Sequence, residues 1–140
     1  MASQLSVHAV HQGEMRIDAV AGDHVVEMDY PMGGGSCDAF TPLQLLLASL
    51  AGCSGNTMAL LVRKQGLQVS GIEVKAQATR REEHPTVLTD ISLEFIVRGA
   101  DLDEAALRRS LVVAEDTLCP VWAMLKPGTP RTSSLTLIDD

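Results

Sequence analysis

Two spacings of apolar residues alternate along this chain. Near its start the spacing is two: Leu5, Val7 and Ala9, then Met15, Ile17 and Ala19, then Val26, Met28 and Tyr30, each set interleaved mostly with polar positions. That alternation predicts three strands, separated by turns at Gln12-Gly13-Glu14 and Ala21-Gly22-Asp23. Pro31 to Phe40, carrying Gly33-Gly34-Gly35, reads as a mobile loop. No Lys-Ser or Lys-Thr follows these glycines, so they do not make a phosphate-binding loop.

From Thr41 to Gly66 the pattern changes. Thr41 suits a helix N-cap, Pro42 the first helical position, and Gln44 the reciprocal bond of a capping box. Arg63 and Lys64 complement the helix dipole at the other end, and Gly66 supplies a left-handed stop. One helix of about 37 Å is predicted. Leu43, Leu45, Leu46, Leu47, Leu50, Ala51, Met58, Leu60, Leu61 and Val62 point in almost every direction around it, which marks a helix enclosed by other elements. The stretch from Pro42 to Val62 has no charge and is long enough for a bilayer span. Gln44, Ser49, Ser54, Asn56 and Thr57 interrupt it, so a buried central helix is the better reading.

The two-residue spacing then returns. Ile72, Val74, Ala76 and Ala78 form one strand, and Ile91, Leu93, Phe95 and Val97 a second, joined through the charged reversal Arg80 to Pro85. Asp101 and Glu104 read as a capping pair for a helix through Leu107, Leu111 and Ala114. Pro120 breaks that helix and opens a short one, residues 120–125. Ser133 to Ile138 makes a last strand. The order predicts one α+β domain over residues 1–140, with antiparallel strands around a long central helix.

Composition narrows the function classes. Net charge is −7, which does not suit a nucleic-acid partner. Only 3 % of residues are aromatic, so the core must be aliphatic. The first residues show no basic segment followed by an apolar run, so a cytoplasmic location is expected. His8, His11, His24 and His84 lack paired ligand spacing and the cysteines are isolated; no metal and no cofactor are expected. A Cys-His hydrolase fails for the same reason.

The chemistry then falls to the thiols. Cys119 precedes Pro120 and sits at a helix N-cap, where the dipole and free amides favour a thiolate. Cys53, within Gly52-Cys53-Ser54-Gly55, is mid-helix and needs a cation from elsewhere. The two lie 66 positions apart, so no CxxC motif exists and only the fold can join them. Two inert buried cysteines remain an alternative on the residues alone, because a free cysteine packs as a small hydrophobe. Cys37, in the Gly-rich loop, reads as an incidental exposed thiol.

Thr41-Pro42-x-Gln44-Leu45 leading to Gly52-Cys53-Ser54, with Cys119-Pro120-Val121 at this spacing, resembles the OsmC/Ohr family of osmotically inducible and organic hydroperoxide resistance proteins. Residues 80–99 look most like its YhfA-like branch. The resemblance implies an OsmC-like fold and an intertwined homodimer, the central helix enclosed by both chains. It implies reduction of organic hydroperoxides, with Cys53 as the peroxidatic thiol and Cys119 as the resolving one, and a dihydrolipoamide-like dithiol as reductant. A disulfide between them needs Cα atoms about 4.4–6.8 Å apart. The family places a glutamate ten residues before the first cysteine; here that position is Leu43, with Gln44 beside it, both expected to border the substrate. The family's arginine comes from the N-terminal strands, where Arg16 is the candidate. With Leu43 in place of the acid, a second class stays open: a binding module holding an apolar small molecule at the dimer interface.

Overall fold

The computed structural model describes residues 2–33 and 37–140. It divides into two compact units, Met1–Leu46 and Leu47–Asp140, and the boundary falls inside the long helix rather than at its start.

In the N-terminal unit β1 (His8–Gly13), β2 (Arg16–Ala21) and β3 (His24–Met28) form an antiparallel meander in the order β1-β2-β3. The two-residue turns follow from φ. Gly13 (+111°) and Glu14 (+48°) make the first and Gly22 (+59°) the second, left-handed conformations that glycine adopts without penalty. Leu5 and Val7 lie outside β1, which begins at His8, and both are exposed. Their alternation has no partner strand to pair with, and period alone does not make a strand. A parallel bridge joins Met28 to Phe40. Of the glycine-rich loop, residues 34–36 lie outside the described residues.

The helix α1 (Pro42–Lys64) has the predicted ends. Gln44 Oε1 accepts from the Thr41 N–H at 3.0 Å, Thr41 Oγ1 accepts from the Gln44 N–H at 3.2 Å, and Gly66 turns left-handed at φ +67°. Its enclosure differs from expectation. Leu50, Ser54, Met58 and Val62, each four residues from the last, form one buried stripe, while Leu46 and Leu60 are exposed. α1 is apolar and long enough to cross a membrane, and 22 % of its most apolar window is buried within the chain. A single chain therefore fully buries one stripe of α1 and leaves its other sides half-buried or exposed.

In the C-terminal unit β4 (Val69–Arg80) and β5 (Leu88–Gly99) pair antiparallel, Ala76 opposite Leu93, and β6 (Arg131–Asp139) pairs with β5. This last pairing is parallel, Ile91 opposite Arg131, whereas the strands were expected to be antiparallel. The helical crossover between β5 and β6 returns the chain to the same end of the sheet, which is how parallel neighbours are connected. Central β5 buries every second residue, Ile91, Leu93, Phe95 and Val97, against Leu50, Met58 and Val62 of α1 and against the crossover. Gly99 ends this face because nothing larger fits: a Cβ there would lie 2.1 Å from the Gln68 carbonyl oxygen.

The crossover comprises α2 (Glu104–Val113), a π-helical turn (Ala114–Leu118) and α3 (Pro120–Leu125). The cap of α2 is Asp103, whose carboxylate accepts from the Ala106 N–H at 3.0 Å. The expected Asp101 instead turns left-handed at φ +51°. The π turn closes with the Cys119 N–H donating to the Ala114 carbonyl at 2.9 Å. Such turns often occur where a helix is bent to serve a site.

Candidate active site

The C-terminal unit brings Cys53 and Cys119 together. Cys53 is half-buried on α1; Cys119 is buried, 2 % exposed, at the N-cap of α3. Cys53 packs against the core cluster that contains Cys119, close enough for the two side chains to interact, and both thiols are free. Ser54, the next residue of α1, is itself buried and places its Oγ 3.8 Å from Cys119 Sγ. The close approach inferred from sequence is met at Ser54 and at Gly55, where a Cβ would lie 3.4 Å from Val74 Cγ2, but not at Gly52, where a Cβ would meet nothing within 4 Å.

The expected help at the helix start goes to the other thiol. Cys119 is the N-cap of α3 in extended conformation (φ −75°, ψ 105°), with Pro120 at the first helical position, yet its side chain makes no capping bond. The free amide of Val121, in the first turn of α3, instead donates to Cys53. Cys53 thus has a polar contact from outside its own helix that its sequence context does not reveal. Burial still pushes its thiol above the ordinary value, the Cys119 hydrogen bond pushes further, and Val121 only opposes them.

A charged cluster adjoins Cys119. Arg131 of β6 has a side chain only 3 % exposed, with Nη2 2.8 Å from Glu115 Oε1. Its Nε donates to Ser133 Oγ at 2.9 Å, and the Ser133 hydroxyl in turn donates to Glu115. The guanidinium carbon lies 5.0 Å from the centroid of the Trp122 ring, a cation–π arrangement. Burial lowers the Arg131 guanidinium from its ordinary value, and Glu115 and then Cys119 oppose this. None of Arg131, Glu115 and Ser54 was singled out from sequence. A signal existed for the first. Arg131, Ser133, Leu135 and Leu137 share one phase of β6, so extending the strand by two residues puts an arginine on its apolar face.

The remaining candidates belong to the N-terminal unit. Arg16 is in β2, paired with Asp18 at 3.3 Å and with Glu27. Leu43 is half-buried and Gln44 exposed, its Oε1 already engaged in the capping box. Cys37 is half-buried rather than exposed, its thiol pushed up first by burial and then by Asp29 and Asp38. Among the described residues no group of three or more His, Cys, Asp or Glu gathers to hold a metal ion.

Two thiols in contact, one half-open and one buried beside an arginine, on a sheet crossed by a long helix, define a dithiol site in a mixed α+β protein. Residues 33–134 match the family described as OsmC-like protein, and this chain belongs to that family. It is 33 % identical over 118 residues to protein YhfA of Escherichia coli K12, covering 84 % of this chain and 86 % of that one. Among solved structures, the fold superimposes on an OsmC-like protein from Mycoplasma pneumoniae with a TM-score of 0.85 at 18 % identity, covering 99 % of both chains. It also matches an organic hydroperoxide resistance protein OsmC from Legionella pneumophila, TM-score 0.75 at 15 % identity, covering 96 % of this chain and 99 % of the other. At those identities the likeness is one of fold.

Proposed function

We propose that this protein is a thiol-dependent peroxidase that reduces organic hydroperoxides, acting as a cytoplasmic homodimer. The observation that carries the reading is the placement of Cys53 beside Cys119, residues far apart in sequence with no shared local motif: Cys53 packs on the cluster that holds Cys119, and the next residue, Ser54, lies 3.8 Å from the Cys119 sulfur. Membership of the OsmC-like family supports it, as does the fold shared with a protein named for organic hydroperoxide resistance.

In this reading the more open thiol reacts first. The Cys53 thiolate attacks the distal oxygen of the hydroperoxide; the O–O bond breaks, alkoxide leaves and takes up a proton, and Cys53 becomes a sulfenic acid. Cys119, as thiolate, attacks the Cys53 sulfur and displaces hydroxide, which leaves as water, and a disulfide forms. The two thiols have given up two electrons and the peroxide has accepted them. A dihydrolipoamide-like dithiol reopens the bridge. The test is turnover of cumene hydroperoxide with dihydrolipoamide as reductant. Consumption that is lost in Cys53→Ser supports the reading, and no consumption by the unaltered protein refutes it.

One observation favours a second reading, an OsmC-like protein that turns over peroxide poorly and binds an apolar small molecule. Cys53 is pushed up rather than activated, and a groove of about 820 Å³ lies between α1 and β4, lined by Ala51, Gly52, Gly55, Val62, Ile72 and Val74 among others. The pH profile of turnover separates the two, since the binding protein stays slow at every pH while the peroxidase speeds up as Cys53 ionises.

A further inference from the structure

The arginine that the family resemblance assigns to the N-terminal strands has a counterpart in the C-terminal unit. Arg131 is almost wholly buried, which a guanidinium tolerates only when it is well paired. Ser133 accepts from its Nε, whereas Nη1 and Nη2 are both buried without a hydrogen-bond partner, Nη2 having only its ion pair with Glu115. Three features hold it at Cys119. The ring it stacks on, Trp122, lies three residues after Cys119 on α3 and so on the same side of that short helix. Its carboxylate partner, Glu115, lies in the π turn that ends at Cys119. The Arg131 guanidinium is also within electrostatic reach of the Cys119 sulfur.

We propose that Arg131 is the electrostatic partner of Cys119, stabilising the negative charge its sulfur carries when the Cys53–Cys119 disulfide closes and again when it opens. The proposal rests on the dithiol–disulfide cycle of the reading above and assigns it a direction. On reopening, a thiolate of the dithiol reductant attacks Cys53, the more open sulfur. The Cys53–Cys119 bond breaks, and its electron pair leaves on Cys119 beside Arg131. The reductant's second thiol, deprotonated, then attacks its own sulfur in the mixed disulfide, releasing Cys53 as thiolate and the reductant as a cyclic disulfide. Two electrons pass from reductant to protein. Disulfide exchange speeds up as the leaving sulfur holds its charge more readily. Arg131 therefore favours attack at Cys53 over attack at Cys119. Glu115 holds the arginine in place and also weakens its field.

The test uses full-length protein with Cys37→Ser, oxidised with diamide and equilibrated in reduced and oxidised dithiothreitol, the dithiol fraction read by mass spectrometry after alkylation. Arg131→Gln is expected to shift this equilibrium toward the disulfide and slow reopening, each by roughly tenfold. Arg131→Lys should restore most of both. Glu115→Gln should shift the equilibrium the opposite way, toward the dithiol, a sign that loss of packing alone does not produce. The first step, oxidation of Cys53 by cumene hydroperoxide, should keep its rate in all three variants. If Arg131→Gln does not fold, Glu115→Gln decides alone: movement toward the dithiol supports the proposal, and no movement or the opposite overturns it. Equilibria within twofold of one another across all variants overturn it too, as does failure of diamide to close the bridge. If diamide closes the bridge and hydroperoxide does not, the peroxidase reading falls while the equilibria still judge Arg131.

Discussion

A free thiol of ordinary acidity is only a few per cent thiolate at neutral pH. Cys53 begins from a worse position, because burial and the neighbouring Cys119 thiol both favour its neutral form and the Val121 amide only opposes them. A raised thiol value means the proton is held more tightly in the folded chain. The associated stability is present below the ordinary thiol value of about 8.5 and is lost as pH rises through the folded value. Reactivity runs the other way. Alkylation of Cys53 by iodoacetamide, and peroxide turnover with it, should be slow at neutral pH and climb steeply from about pH 8 upward. A Cys53 that is fully reactive at pH 7 would mean that a cation reaches it from outside the C-terminal unit, with Arg16 the first to examine. The two cysteines were legible in sequence because each has a distinctive local setting, small residues around one and Pro120 after the other. The Val121 contact and the Arg131–Glu115 pair were not. Each joins segments that meet only after β5, the crossover and β6 have packed.

Legibility at the scale of elements follows the same division. The capping box of α1 and its Gly66 stop are local chemistry and were read directly. Asp101 and Asp103 are both plausible caps by type; which one caps depends on the left-handed turn that Asp101 takes. The π turn and the parallel direction of β6 are decided by packing, and no short stretch of residues encodes either. α1 shows the consequence most clearly. An all-round apolar helix implies all-round cover, yet one chain buries a single stripe of it. Leu50, fully buried in the chain's own core, would disrupt folding on replacement by Asp whatever the oligomeric state. Leu60 is the informative position, since it is 47 % exposed in the single chain. On a monomer Leu60→Asp should change stability by no more than about 0.5 kcal/mol. In the proposed homodimer it places a charge in an apolar interface and should dissociate or unfold the protein. Sedimentation and thermal melting of the variant beside the unaltered protein distinguish the two outcomes.

For the molecule as a whole, the α+β class and the OsmC-like family follow from sequence and structure together, and the proposed chemistry turns on two thiols. Their contact rests entirely on the C-terminal unit: α1 presents Cys53, the π turn and α3 present Cys119, and β6 brings in Arg131. The most direct measurement is to reduce the protein under anaerobic conditions and add one equivalent of cumene hydroperoxide. The sample is then digested without reductant, and the linked peptides are identified by mass spectrometry. The account predicts one dominant product, a disulfide between Cys53 and Cys119, with cumyl alcohol released in equal amount. Peroxide left unconsumed, or oxidation that spares Cys53 and leaves Cys119 unlinked, would contradict it.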